Sequence, residues 1–254
     1  MDLSLKDKTI LVTAASRGLG FSVAKSLVAE DANVVICGRD EPSLKHAIDI
    51  LGERARYIVA DVSKREDVKM LLDDIKSTSG TLDGLFVNAG GPPPGKFVDL
   101  TDEEWLKGFN LTLMSAIWLT REALPLLKLS DSPSVLYSTS ISVKQPIGNL
   151  LLSNALRPAV IGMMRTLADE VEFEGIRVNA VCPGYISTER VKELFEASGD
   201  ARATEERITN NIPLKRLGNP DEFGSVCAFL LSPLASYVHG ALLLVDGGMY
   251  RGMM

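Results

Sequence analysis

Short apolar runs and longer amphipathic runs alternate along the chain. Thr9–Thr13 is a compact apolar run, and Asn33–Cys37, Arg56–Ala60, Leu85–Asn88, Val135–Tyr137, Ile176–Val181 and Leu242–Val245 repeat its character. Between them, apolar positions recur at helical spacing. Gly18–Glu30 carries Phe21, Ala24, Leu27 and Val28 in this way, and Glu41–Leu51 carries Leu44, Ala47, Ile48 and Leu51 on one face. Further helices are predicted over Arg65–Thr78, Asp102–Leu127 and Leu151–Glu174. Thr101 or Asp102 N-caps the second of these, with glutamates in its first turn. The strand runs are continuously apolar rather than alternating, the pattern of strands covered on both faces. Repeated strand–helix–strand units then predict an α/β fold: a doubly wound parallel sheet of seven strands with helices on both faces. No repeat, low-complexity tract or linker divides residues 1–254, so a single domain is expected.

One long excursion breaks the alternation. Residues 185–215 hold a polar, charged helical stretch, Ser187–Asn210, between the sixth and seventh strands. Its place at the sheet's C-terminal edge, where ligands bind in such folds, predicts a lid-like insertion.

Composition narrows the partners. The chain has 254 residues, 46% of them hydrophobic, and a formal net charge of -6. That charge argues against nucleic acid and against anionic membrane surfaces as partners. No apolar stretch approaches the ~20 residues that span a bilayer, so no membrane segment is expected. Residues 1–8 lack the apolar core of a secretory signal. Two histidines, His46 and His239, and three scattered cysteines, Cys37, Cys182 and Cys227, form no metal-ligand spacing and no disulfide framework. A cytoplasmic location fits those cysteines.

The first strand runs into Thr13-Ala14-Ala15-Ser16-Arg17-Gly18-Leu19-Gly20 before the first helix. Gly18 and Gly20 let backbone N–H groups approach an anion, and the helix dipole favours one there. Position 14 carries Ala where a closely related loop carries Gly; its methyl group is harmless at negative φ and strained at positive φ. The second strand ends in Gly38-Arg39, with no carboxylate at position 38 to bond a ribose 2′-hydroxyl. Arg39 and Arg17 suit a 2′-phosphate instead, which favours NADP over NAD, although Asp40 follows immediately and can neutralise Arg39.

With these motifs the chain resembles the short-chain dehydrogenase/reductase family, particularly the branch that includes 3-oxoacyl-carrier-protein reductases. The likeness covers nearly the whole chain and implies a Rossmann fold. The loop from Thr13 to Gly20 is similar to the family's TGxxxGxG with its first Gly replaced. Asp61-Val62 matches the acidic-apolar pair that touches the adenine. Val87-Asn88-Ala89-Gly90 resembles NNAG, Pro183-Gly184 the PG turn beside the nicotinamide, and Val245-Asp246-Gly247-Gly248 the family's VDGG. Asn110 lies on the long helix where the family carries a structural Asn. The resemblance also implies a homotetramer or homodimer, and the apolar content of the long helices (Leu113, Ile117, Leu151, Met163, Met164, Leu167) points the same way.

The reaction centre departs from that pattern. The family uses a Ser and then Tyr-x-x-x-Lys on the following helix, the Tyr as acid/base. Ser140 holds the Ser position, and ungapped alignment through Ala159-Val160-Ile161-Gly162 puts Ser153 at the Tyr and Arg157 at the Lys. A serine hydroxyl is a far poorer proton donor than such a tyrosine, and general acid–base catalysis is worth about 10²–10⁴-fold. Ser153 suits a link in a water relay. Arg157 stays charged and suits cofactor binding better than proton transfer. Pro158 forfeits a helical hydrogen bond to Asn154, so either the helix kinks or its regular part begins near Arg157. Lys144, on the loop after the fifth strand, and Tyr185, beside the PG turn, are substitute proton donors. Cys182 reads as a small buried hydrophobe and His239 as structural. The segment Gly90-Gly91-Pro92-Pro93-Pro94-Gly95 reads either as a rigid wall beside the nicotinamide and substrate or as a plain turn.

Two functions follow. One is an NADP(H)-dependent oxidoreductase acting on a small-molecule carbonyl or alcohol with a degenerate catalytic tetrad. The other is a catalytically silent dinucleotide-binding protein, a sensor or scaffold.

Overall fold

The computed structural model describes residues 2–171 and 174–253. Strands β1 (Thr9–Val12), β2 (Asn33–Gly38), β3 (Ala55–Val59), β4 (Gly84–Val87), β5 (Ser134–Ser138), β6 (Arg177–Pro183) and β7 (Leu242–Val245) form one sheet in the order β3-β2-β1-β4-β5-β6-β7. Every neighbouring pair is parallel. The chain winds outward from β1 to β3, crosses back to β4 beside β1, and then winds the other way to β7. The crevice between the C-terminal ends of β1 and β4 is therefore the topological switch point, where such sheets bind ligands.

Helices cover both faces. On one side α1 (Gly18–Ala29), α2 (Glu41–Leu51) and α9 (Pro220–Leu231) bury Val23, Leu27, Leu44, Phe223 and Cys227 against Ile10, Val12, Ile36 and Phe86. On the other, α3 (Arg65–Ser79), α5 (Ser115–Leu127) and α6 (Leu151–Glu170) bury Leu71, Leu119, Val160 and Met164 against Leu11, Leu85, Val135 and Val178. Full burial of one such Leu or Ile contributes roughly 1.5–3 kcal/mol. Burial on both faces holds for β1, β4, β5 and β6; at the sheet edges Val59 of β3 and Leu243 of β7 are exposed.

The structure refines four expectations. The helix predicted over Asp102–Leu127 is α4 (Asp102–Phe109), a π-helical turn at Asn110–Met114, and then α5. Thr101 caps α4 and forms a reciprocal capping box with Glu104. The next helix begins at Leu151, so the alternative start near Arg157 does not occur; Pro158 is accommodated inside α6. The predicted end of this helix runs through residues 172 and 173, which lie outside the described set. The stretch Ser187–Asn210 is two helices, α7 (Glu189–Glu196) and α8 (Ala201–Asn211), capped by Thr188 and Asp200. They share a small core of Phe195, Ile208 and Ile212. The apolar residues named above for subunit packing are largely absorbed: Met164 is fully buried, and Leu113, Met163 and Leu167 pack against the core. The large exposed apolar side chains are others, including Phe97, Val98 and Leu106.

Candidate active site

A cleft of about 650 Å³ opens at the switch point. Its floor is fixed by hydrogen bonds between β1 and β4. The Thr13 hydroxyl donates to the Asn88 carbonyl at 2.6 Å and accepts from the Asn88 N–H at 2.8 Å. The Asn88 amide donates to the Thr13 and Ala14 carbonyls at 3.2 and 3.3 Å. Ala14 stands at φ 48°, so its methyl group is held in the strained left-handed region. Gly20 is required by space: a Cβ there would lie 2.5 Å from the Ala14 carbonyl oxygen.

The N-terminus of α1 faces the cleft through Ser16, Arg17, Gly18 and Leu19. No side chain caps this helix, and its first turn carries no acidic residue. Its N–H groups are thus free for an anion. At the end of β2, Asp40 is committed elsewhere, since its carboxylate caps α2 by accepting from Ser43 N–H at 2.9 Å. Hydrogen bonding from Ser43, chiefly its side chain, holds the Asp40 carboxyl below its ordinary range. Arg39 has no ion-pair partner among the described residues and lines the cleft with Ser16, Arg17 and Ser43. Asp61 and Val62 line the same end; Asp61 accepts from the Ser63 N–H and hydroxyl at 3.0 and 2.7 Å. This constellation fits an adenosine 2′-phosphate and a pyrophosphate: an uncapped helix end and the Arg39 guanidinium, with the Asp40 carboxylate, which also lines the cleft, engaged as the α2 cap.

The opposite end is built from β5, α6 and α7. Ser153 and Arg157 stand one turn apart on α6 and both line the cleft, with Ser138, Thr139 and Ser140 from the end of β5. Arg157 Nη1 donates to the Ser138 and Thr139 carbonyls at 3.3 and 2.9 Å. No carboxylate pairs with it among the described residues. Desolvation pulls its guanidinium down to about 10, Cys182 opposes that shift and Arg190 adds to it, so Arg157 is a cation at neutral pH. Ser140 Oγ accepts from Ser142 N–H at 3.1 Å, while Ser153, 8% exposed, has no hydrogen-bond partner among the described residues.

Ala89, Gly90, Gly91, Pro183 and Gly184 complete the walls, and Thr188, Glu189, Arg190 and Leu194 face them from the insertion. A Cβ on Gly184 would meet Asp246 at 2.8 Å, so the strand end packs backbone to backbone. Arg17 pairs with Glu189 at 2.8 Å across the cleft mouth, and Arg190 Nη2 donates to the Pro92 carbonyl at 2.9 Å. Of the glycine–proline segment, Gly90 and Gly91 line the cleft and Pro92, Pro93 and Pro94 do not.

Several predicted residues stand elsewhere. Asn110 is exposed and does not line the cleft. The π-helical turn carries Thr112 inward in its place, toward a cavity of about 20 Å³ behind the floor, with Asn88, Ser115 and Arg157 in its lining. The Thr112 hydroxyl is buried without a partner. The signal for it was the small-residue stripe Gly108, Thr112, Ser115, Ala116, which only an inward face needs. Lys144 is exposed, outside the cleft lining, with its Nζ 6.0 Å above the Tyr250 ring. The donor role considered for it needed a desolvated ammonium. Tyr185 turns into the core of the insertion against Phe195, ring centroids 6.0 Å apart, and burial raises its phenol. His239 is a clamp: Nδ1 accepts from Val178 N–H at 3.2 Å, leaving Nε2–H to donate to the Ala168 carbonyl at 2.8 Å. The Cys182 thiol is buried, 3.1 Å from the Thr139 hydroxyl, and pushed up by desolvation. Among the described residues no His, Cys, Asp and Glu cluster could hold a metal, and no helix is long and apolar enough to cross a membrane.

The fold and cleft define a dinucleotide-binding α/β protein. A family model described as Enoyl-(Acyl carrier protein) reductase matches residues 13–250. The 3-oxoacyl-[acyl-carrier-protein] reductase of Salmonella typhimurium is 34% identical over 250 residues, 98% of this chain and 99% of that one. L-sorbose reductase of Gluconobacter frateurii, solved with NADPH and L-sorbose, superposes with a TM-score of 0.93 at 29% identity, over 100% of both chains. An NADPH-bound short chain oxidoreductase of Pseudomonas aeruginosa PAO1, described as containing an atypical catalytic center, superposes with a TM-score of 0.89 at 30% identity, covering 97% of this chain and 99% of that one. The chain belongs to the short-chain dehydrogenase/reductase family.

Proposed function

We propose that this protein is an NADP(H)-dependent oxidoreductase acting on a small-molecule carbonyl or alcohol. The observation that carries the cofactor is Arg39, without an ion-pair partner among the described residues, beside the uncapped N-terminus of α1, with Asp40 engaged as the α2 cap. NADPH complexes of sorbose reductase and of the Pseudomonas oxidoreductase support it. In this reading Thr13, Ser16, Arg17, Gly18, Leu19 and Gly20 form the pyrophosphate loop. Asp61 and Val62 border the adenine. Asn88, Ala89, Gly90, Pro183 and Gly184 border the nicotinamide, and Arg157 reaches its ribose. When bound, NADPH supplies a hydride. Ser140, Ser153 and Arg157 hold the substrate oxygen, and the proton donor is not the family's tyrosine.

Fluorescence titration with NADPH and NADH, followed by a panel of ketones, quinones and 3-oxoacyl esters, tests this reading. NADPH binding with turnover is expected. Binding without turnover across the panel would favour the second reading, a silent dinucleotide sensor, which the replacement of Tyr and Lys by Ser153 and Arg157 keeps in play. We further propose a cytoplasmic homodimer or homotetramer, consistent with buried free cysteines and with the exposed Phe97, Val98 and Leu106. Light scattering at low and high protein concentration reads the mass.

A further inference from the structure

We propose that the reaction end of the cleft is an oxyanion site without a general acid, formed by the Ser140 and Ser153 hydroxyls and the Arg157 guanidinium. It selects carbonyls activated by a neighbouring electron-withdrawing group. The inference rests on the oxidoreductase reading above and names the substrate class of that site.

Three donor side chains line this end of the cleft. Ser140 Oγ already accepts a backbone N–H, so its own proton is free to donate. The Ser153 hydroxyl has no protein partner among the described residues, and it sits in the cleft wall. Arg157 uses Nη1 on two carbonyls, which leaves the Nε and Nη2 protons without a protein acceptor among the described residues. A desolvated guanidinium with unspent donors favours an oxygen that gains negative charge.

The usual proton sources are committed or absent. Tyr185 packs on Phe195, and Lys144 is exposed over Tyr250. The Tyr137 phenol is buried, 2.6 Å from the Thr120 hydroxyl. Cys182 is buried against Thr139. From the insertion, Arg190 and Glu193 face the site and stand 3.7 Å apart as an ion pair. Arg157 stays protonated, and a serine hydroxyl donates a hydrogen bond without surrendering its proton near neutral pH.

The step balances with solvent as the proton source. The hydride of NADPH forms a C–H bond at the carbonyl carbon, the π pair of the C=O bond moves to oxygen, and NADP⁺ is left. The alkoxide, held by Ser140, Ser153 and Arg157, takes a proton from water and releases hydroxide to the buffer. Because no acid relieves the alkoxide, carbonyls whose alkoxides are weak bases react best. A 1,2-dicarbonyl is such a substrate, and an isolated ketone is not.

The test uses the NADP⁺-loaded protein and 4-nitrophenol, a small phenol whose anion is coloured. Bound 4-nitrophenol is expected to ionise at least about tenfold more readily than free, a shift of one pH unit. Ser153→Ala should reduce the shift, Arg157→Lys should keep most of it, and Arg157→Gln should abolish it. A second arm compares 2,3-butanedione with 2-butanone. The dione should be reduced at least ~100-fold faster, the lower end of what the missing general acid is worth to the isolated ketone. An unshifted or suppressed ionisation, no 4-nitrophenol binding, or equal rates for the two carbonyls overturns the proposal while NADP⁺ still binds. Failure of NADP⁺ and NADPH alike to bind overturns the oxidoreductase reading beneath it.

Discussion

Two desolvated arginines sit at opposite ends of the sheet, and neither has a carboxylate partner among the described residues. Arg177, at the start of β6, spends its guanidinium on the end of α9. Nη1 donates to the Leu230 and Ala235 carbonyls at 2.8 and 3.1 Å, and Nη2 to Leu231 and Ser232 at 3.3 and 2.9 Å. Arg157, on α6, spends one nitrogen on two carbonyls, lines the cleft, and has no protein acceptor for its other nitrogens among the described residues. Desolvation pulls both down to about 10. The same residue in the same electrostatic predicament is thus a finished structural cap in one place and an unfinished site in the other. A buried donor left over in a native protein calls for a ligand.

That contrast breaks most sharply at α6. Replacing Ser153 and Arg157 together, S153Y with R157K, restores a titratable phenol beside an ammonium. Reduction of an unactivated ketone should rise about 10²–10⁴-fold and acquire a pH dependence absent from the parent. Initial rates across pH read both; no gain would mean that the site lacks more than its acid. Arg177→Met gives the opposite signature. It strands several buried carbonyls at about 1–3 kcal/mol each, so the melting temperature should fall steeply while the folded fraction binds NADPH as before. Loss of NADPH affinity without loss of stability would contradict the structural role.

Smaller effects separate the cofactor end. Arg39→Ala should weaken NADPH about tenfold, about 1.4 kcal/mol, and leave NADH nearly unchanged. Equal weakening, measured by fluorescence titration, would remove Arg39 from the 2′-phosphate site. The smallest change concerns Ala14 at φ 48°. Ala14→Gly should relieve up to about 1 kcal/mol of strain, a rise of roughly 2–4 °C in calorimetric Tm.

The sheet was legible because each buried strand is a short apolar run that no amphipathic helix imitates. The loop before α1 was legible as a glycine turn, with Gly18 lining the cleft at φ 64°, but Gly20 is required by its packing on the Ala14 carbonyl rather than by access to a ligand. The π-helical turn was not, since Leu106, Leu113 and Ile117 keep a helical rhythm through it while the turn re-aims Asn110 outward and Thr112 inward. Pro158 left open a kink or a start near Arg157, yet α6 starts at Leu151 as its periodicity predicts, because one lost N–H is tolerated in a helix packed along the sheet. Tyr185 looked catalytic from its distance in sequence to Pro183-Gly184. Its ring direction depends on Phe195, a tertiary partner that no local pattern names.

The proposed pairing of an NADP(H) end with an acid-free reaction end is tested most directly by following NADPH oxidation with 2,3-butanedione across the neutral pH range at saturating NADPH. With Ser140, Ser153 and Arg157 as fixed donors, turnover should occur with no titration of an enzyme acid through that range. A rate that falls along a single-proton limb as pH rises, at constant NADPH affinity, would reveal a titrating donor and contradict it.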